Sequence, residues 1–172
     1  MHWADFAAQT LSQRGGKHII ASGITPSGEF HIGHLREILT GDMITRACKN
    51  AGMDAEFVFI VDSADPLRKV YPFLSDEYEQ YIGCALATIP APDENGSPGS
   101  DGRSYAEHFL EPFLAALEQI DVRPRIIDNY TSYANGEFAE KSRIACEKAD
   151  EIREIIERVS SRELAPDWFP YN

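Results

Sequence analysis

Two imidazoles, His31 and His34, stand three residues apart in the stretch Thr25-Pro26-Ser27-Gly28-Glu29-Phe30-His31-Ile32-Gly33-His34-Leu35. In the first turn of a helix this spacing puts both rings on one face. They would lie beside backbone N–H groups without intrahelical partners, at the positive end of the helix dipole. Such a place suits an anion, and a triphosphate in particular. Gly33 has no β-carbon, so a flat base can approach the backbone between the rings. Phe30 is apolar and should anchor the loop to the core. Taken alone, a His-x-x-His pair also fits an ordinary exposed helix start or a fortuitous pair of metal ligands.

The elements around this stretch decide how it is presented. Trp3 to Arg14 reads as a helix with Trp3, Phe6, Ala7 and Leu11 on one stripe, ended by Gly15-Gly16. Lys17 to Ser22 is a short apolar run of the buried-strand kind, and Gly23 to Glu29 is rich in turn residues. From His31 to about Asn50 apolar residues recur at helical spacing, and Gly52 follows where a helix would end. Glu56 to Val61 is a second apolar strand. Strand, Gly-rich loop, helix and strand make the βαβ unit of a parallel sheet. The carboxyl ends of both strands then open on the edge where such sheets bind ligands. Further on, Ser75 to Ile82 predicts a short helix and Ala91 to Arg103 an exposed, mobile loop. Tyr105 to Gln119 predicts a helix kinked or broken at Pro112. Arg125 to Ile127 is a candidate third strand, and Glu137–Lys148 and Asp150–Ser161 are two more helices. The tail Pro166-Asp167-Trp168-Phe169-Pro170-Tyr171-Asn172 reads as a packed connection rather than a terminus. The fold class expected is α/β, a Rossmann-like parallel sheet with flanking helices.

Composition restricts the partners. The 172 residues, 43% hydrophobic and 26% charged, are those of a globular domain with a core. No apolar run is long enough for a bilayer, and no basic-then-apolar leader opens the chain, so no membrane and no secretory signal are expected. Three cysteines, Cys48, Cys84 and Cys146, are odd in number and far apart, which suits a reducing cytoplasm and argues against a disulfide framework or zinc site. The formal net charge is −12. A domain that gripped DNA or RNA by itself would carry a basic stripe. Here the basic spots are short, Arg68-Lys69 and Arg123-Pro124-Arg125.

The order of an apolar strand, a Gly-Ile-Thr-Pro-Ser-Gly loop and His-Ile-Gly-His opening a helix resembles the ATP signature of class I aminoacyl-tRNA synthetases. In looser form it occurs in related nucleotidyltransferases. Within the synthetases, Ala21 to Gly28, Asp65 to Leu74, Ser104 to Phe113 and the opening His2-Trp3-Ala4-Asp5 resemble the class I lysyl-tRNA synthetases, in that family's order and from residue 2 to the tail. The resemblance implies a lysine–tRNA ligase that activates lysine with ATP and Mg²⁺ and passes it to tRNA(Lys). Pro26, Ser27, His31, Gly33 and His34 would then bind ATP, the two histidines as catalytic donors. Gly23 and Thr25 match residues lining the lysine and adenylate pocket. Asp62 and Asp65, past the second strand, are placed to meet a substrate ammonium, although an exposed capping turn would look the same. Arg68 and Lys69 could reach phosphate or the tRNA acceptor end, and a solvated loop accounts for them at least as well. His18, Cys48 and His108 read as structural, and no metal ligands are expected.

Two features depart from that family. His34 stands where the family more often has Asn. No lysine among the five begins a Lys-Met-Ser-Lys-Ser signature, and no basic anticodon-binding region is present. The expectation is therefore the N-terminal part of a class I catalytic domain, residues 1–172, with a loop-rich insertion at about 64–104. Half a sheet would leave an apolar edge or face uncovered, which favours aggregation or dimerisation. The main grip on tRNA should come from regions absent from this chain. Two rivals remain: a non-catalytic relative that binds ATP or lysine, and a small nucleotidyltransferase using the same histidine motif.

Overall fold

A computed structural model describes residues 2–170 in two compact units, 1–130 and 131–172; Met1, Tyr171 and Asn172 lie outside the described residues. In the first unit α1 (Trp3–Ser12), β1 (His18–Ile24), α2 (Ile32–Asn50), β2 (Ala55–Val61), α3 (Tyr105–Gln119) and β3 (Arg125–Asp128) follow one another. The strands form one parallel sheet in the order β1-β2-β3. This is the α/β, Rossmann-like arrangement expected from the βαβ pattern, with β1 extending through Gly23 and Ile24 rather than ending at Ser22.

The main core of the sheet lies on one face. Ile20, Ile24, Phe57, Phe59 and Val61 share a core with Ile38 and Leu35 of α2 and with Phe113 and Leu117 of α3. Register explains it: Ile20 lies beside Phe57 and Ile24 beside Val61, so these side chains rise on the same side. Helix α2 crosses Phe57 at Gly41, where an added β-carbon would stand 2.5 Å from the ring. Glycine is required there for close packing. On β1, by contrast, Ile19 is 60% exposed, and Ala21 and Gly23 beside it on that side are exposed too. At the start of the strands Glu56 on β2 is gripped by Arg125 of β3 at 2.6 Å and Lys17 at 2.8 Å. The Arg125 hydrogen bond first, then that of Lys17, holds its carboxyl down at about 2.

Three expectations change and a fourth is sharpened. Helix α1 buries Ala4 and Ala8 against Ala47, Cys48 and Ala55, while Trp3 and Phe6 face outward, 46% and 66% exposed. Small residues let the two helices approach closely, and that gain outweighs burying the larger rings. The short helix expected over 75–82 is present at 76–81, as a 3₁₀ helix. Its three-residue repeat aligns Tyr78 and Tyr81, and both pack in a second core with Leu67, Leu74, Leu86, Ile89, Tyr105 and Phe109. Helix α3 runs unbroken past Pro112, which lies on its exposed side, where one missing backbone N–H is tolerated. Residues 91–103 are not a loose exposed loop. Ala91 N–H donates to Arg103 O at 3.0 Å, Gly99 N–H to Ala91 O at 2.7 Å, and Asp93 Oδ1 accepts from the N–H groups of Asn95 and Ser97.

Helix α4 (Asn129–Ala134) spans the boundary between the units, and α5 (Ala139–Glu147) and α6 (Ala149–Ser160) belong to the second. The tail after α6 is tied by polar bonds. Arg153 donates to the carbonyls of Leu164, Ala165 and Pro166, and Glu157 accepts from Leu164 N–H, while Phe169 stays 45% exposed.

Candidate active site

The carboxyl ends of β1 and β2 present two groups of side chains. The first is the start of α2. His31 is the helix N-cap, and its Nδ1 accepts the Gly33 N–H at 3.0 Å. His34 Nδ1 reaches back to accept the His31 N–H at 3.0 Å. The pair thus forms a capping box in which imidazoles replace the usual hydroxyl and carboxylate. An Nδ1 that accepts an N–H carries no proton, so each neutral ring keeps its proton on Nε2. The rings lie 3.9 Å apart, 32° from parallel. Burial first, and the neighbouring His31 second, pull His34 below the ordinary histidine value, which favours the neutral ring at pH 7.

This changes the expectation of an anion site made from unpaired backbone N–H groups. Two of those donors, the N–H groups of His31 and Gly33, are spent on the histidines. Gly33 also acquires a different reason. A β-carbon there would sit 2.8 Å from Cε1 and 2.9 Å from Nδ1 of His31, so glycine makes room for the imidazole itself. Phe30 anchors the turn as expected: it stacks on Phe113 at 4.3 Å and meets His34 edge-on at 5.3 Å.

The loop between β1 and α2 is fixed by burial and by two hydrogen bonds. Pro26 is fully buried. Ser27 N–H donates to Thr25 O at 2.8 Å, and Ser27 O accepts the Tyr105 hydroxyl at 2.8 Å, tying the loop to α3.

The second group lies past β2. Thr25 Oγ1 donates to Asp65 Oδ2 at 2.8 Å. Asp62 N–H donates to Ile24 O at 2.8 Å, which sets its side chain beside β1. A β-carbon on Gly23 would stand 3.9 Å from Asp62 Oδ2. Burial and then the Asp65 carboxylate push Asp62 up, and a hydrogen bond from Asn129 opposes them. The geometry thus brings Gly23, Thr25, Asp62 and Asp65 together. Arg68 is aimed back at Asp65, 3.4 Å away and largely exposed, and the Lys69 ammonium stands 5.5 Å from the Tyr71 ring centre. His18 and Cys48 are buried, and His108 leans edge-on against Phe109 at 4.8 Å with its Nδ1 buried and without a hydrogen-bond partner.

Several participants escaped sequence reasoning. Asn129 donates to Asp62, Ser63 to Asp128, and Ser22 to Glu37 at 2.7 Å. The one available signal was position: Asp128 ends a four-residue apolar-centred strand and Asn129 follows it, at the same sheet edge. Among the described residues no three His, Cys, Asp or Glu side chains converge as a metal cage, and no helix is long and apolar enough to cross a membrane.

Comparison with known proteins places the chain in a family. The family model described as tRNA synthetases class I (K) matches residues 1–172. The lysine–tRNA ligase of Methanosarcina barkeri (strain Fusaro) is 43% identical over 172 residues, 100% of this chain and 31% of the relative. Those of Archaeoglobus fulgidus and Methanocaldococcus jannaschii are 45% and 44% identical over 99% and 100% of the chain, and 34% and 32% of their own lengths. The chain spans about a third of the curated relatives it matches. With the strand–loop–helix histidine cap in place, the chain belongs to the class I lysyl-tRNA synthetase family.

Proposed function

We propose that this chain supplies the ATP- and lysine-facing part of a cytoplasmic lysine–tRNA ligase. Lysine's carboxylate oxygen attacks the α-phosphorus of ATP, an O–P bond forms, and the bridging P–O bond breaks with its electron pair leaving on pyrophosphate. The lysyl group then passes from the adenylate to the terminal ribose of tRNA(Lys). The observation that carries this reading is the imidazole capping box, which leaves two preorganised Nε2–H donors at a helix N-terminus.

An in-line displacement at phosphorus asks a protein mainly for positioning and charge stabilisation. Donors already oriented by bonds to their own backbone need no reorganisation as charge builds on the phosphate oxygens. Pro26 and Ser27 shape the loop beneath the nucleotide, and Gly23 with Thr25 lines the adenylate side. Asp62 and Asp65 attract an ammonium group of lysine. Mg²⁺ accompanies ATP through phosphate oxygens, the ordinary ligands of this hard cation. With a net charge of −12, the chain leaves most of the tRNA contact to other parts of an enzyme as long as its relatives. Residues 64–104, whose apolar cluster is shared with Tyr105, Ala106 and Phe109 of α3, then form an insertion in the N-terminal part of the catalytic domain.

Lysine-dependent ATP–pyrophosphate exchange tests this reading, on the chain and on the full-length enzyme, with a His31→Ala, His34→Ala double variant of each. Exchange that needs lysine and is lost in the variant supports it. Exchange without lysine points instead to a nucleotidyltransferase, and none even at full length points to a non-catalytic binder.

A further inference from the structure

Asp62 is held from the third strand. Asn129, the residue after β3, donates from Nδ2 to Asp62 Oδ1. A carboxylate only accepts, so the orientation of the amide follows from its partner. Alongside, Ser63 Oγ donates to Asp128 Oδ2, and Tyr130 N–H donates to Ser63 Oγ at 3.3 Å. Residues 128–130 therefore clasp residues 62–63, strand tip to strand tip. Of these bonds, the one from Asn129 alone reaches an acid at the candidate site. It engages Oδ1 and leaves Oδ2 directed toward Gly23.

We propose that Asn129 is a positioning residue for lysine recognition, fixing the Asp62 carboxylate so that Oδ2 is presented, charged, to the substrate ammonium. The proposal rests on the reading above in which Asp62 meets that ammonium. An acid tethered before the substrate arrives loses less rotamer freedom on binding. Charge works in the same direction. From the segment after β2, the Asp65 carboxylate disfavours ionisation of Asp62, as does burial. From β1 the neighbour is Gly23, which has no ionisable group. The Thr25 hydroxyl and the Arg68 Nη2 are directed at Asp65. The Asn129 amide is the group that favours the ionised acid.

The test uses the chain with ¹³C-labelled aspartate carboxyls, the Asp62 signal being assigned by its loss in Asp62→Asn. Wild type, Asn129→Ala and Asn129→Asp are titrated with acid, without and with free lysine, and amide spectra report that each is folded. The expected result is an Asp62 that takes its proton at a higher pH in Asn129→Ala and higher still in Asn129→Asp. The lysine concentration that half-saturates the Asp62 shift should rise about tenfold in Asn129→Ala, the scale of one hydrogen bond to a charged group. If Asp62 titrates alike in all three folded proteins and half-saturation is unchanged, Asn129 is not a positioning residue, while the ammonium reading of Asp62 stands. If the titration moves but lysine never shifts Asp62, the ammonium reading itself is overturned, and the proposed role in recognition goes with it.

Discussion

His34 bonds to the backbone of His31, and His31 to that of Gly33, within one helical turn, whereas Asp65 is reached by Thr25 across 40 residues and Asp62 by Asn129 across 67. Both groups sit on the carboxyl edge of the same sheet, yet they are built differently. The histidine cap is local and exposed on His31, and its geometry follows from a helix start and one glycine. The acidic group is partly buried and assembled from the tips of three strands. A local device can be lost with little damage to the fold. An assembled one ties substrate recognition to the packing that brings the strands together.

The largest expected separation comes from the histidines. Replacing His31 or His34 by Ala should lower pyrophosphate exchange about 10²–10³-fold in the full-length enzyme. The lost cap should lower stability by about 1 kcal/mol, read as a small shift of the denaturation midpoint. A loss of several kcal/mol would break the comparison, because the cap would then be a structural part of the domain. Gly33→Ala sharpens it. Alanine gains about 1 kcal/mol of helix propensity, which offsets a cap worth about the same, so the midpoint should stay nearly unchanged. Its β-carbon still displaces the His31 ring, and exchange should fall toward that of His31→Ala.

Smaller effects belong to the acidic group. Thr25→Val removes the donor to Asp65 and should cost about 1 kcal/mol, roughly five-fold in KM for lysine, with KM for ATP unchanged. The smallest is a pH effect on the cap. His34 has its folded value lowered, so the cap's contribution to stability is complete above the ordinary histidine value of 6.5 and is lost as pH falls through the lowered one. Denaturation midpoints measured from pH 7.5 down to 5 should show a modest decline that His34→Ala abolishes.

The same contrast explains what the sequence made legible. Short-range periodicity was enough for β1, α2, β2 and the histidine turn, because hydrophobic spacing and cap residues act within a few positions. Trp3 and Phe6 were misplaced because helical spacing cannot tell which apolar stripe finds a partner, and Ala4 and Ala8 permit the closer one. The segment 91–103 has a loop's composition, but Ala91 bonds to Arg103 across it and Gly96 O accepts the N–H of Ser75, pairings that exist only once the segment is folded. Asp62 and Asp65 could be named from their place after a strand. Asn129 could not, since its role exists only once β3 lies beside β2.

The central claim is that two neutral imidazoles cap α2 through Nδ1 and offer Nε2–H to phosphate. ¹⁵N resonances of the histidine rings, recorded at pH 7.5 with ATP and with adenosine, test it most directly. The account predicts that His31 and His34 both show an unprotonated Nδ1 and a protonated Nε2, and that ATP shifts the two Nε2 signals while adenosine does not. Protonated Nδ1 atoms, or Nε2 signals indifferent to ATP, would contradict it.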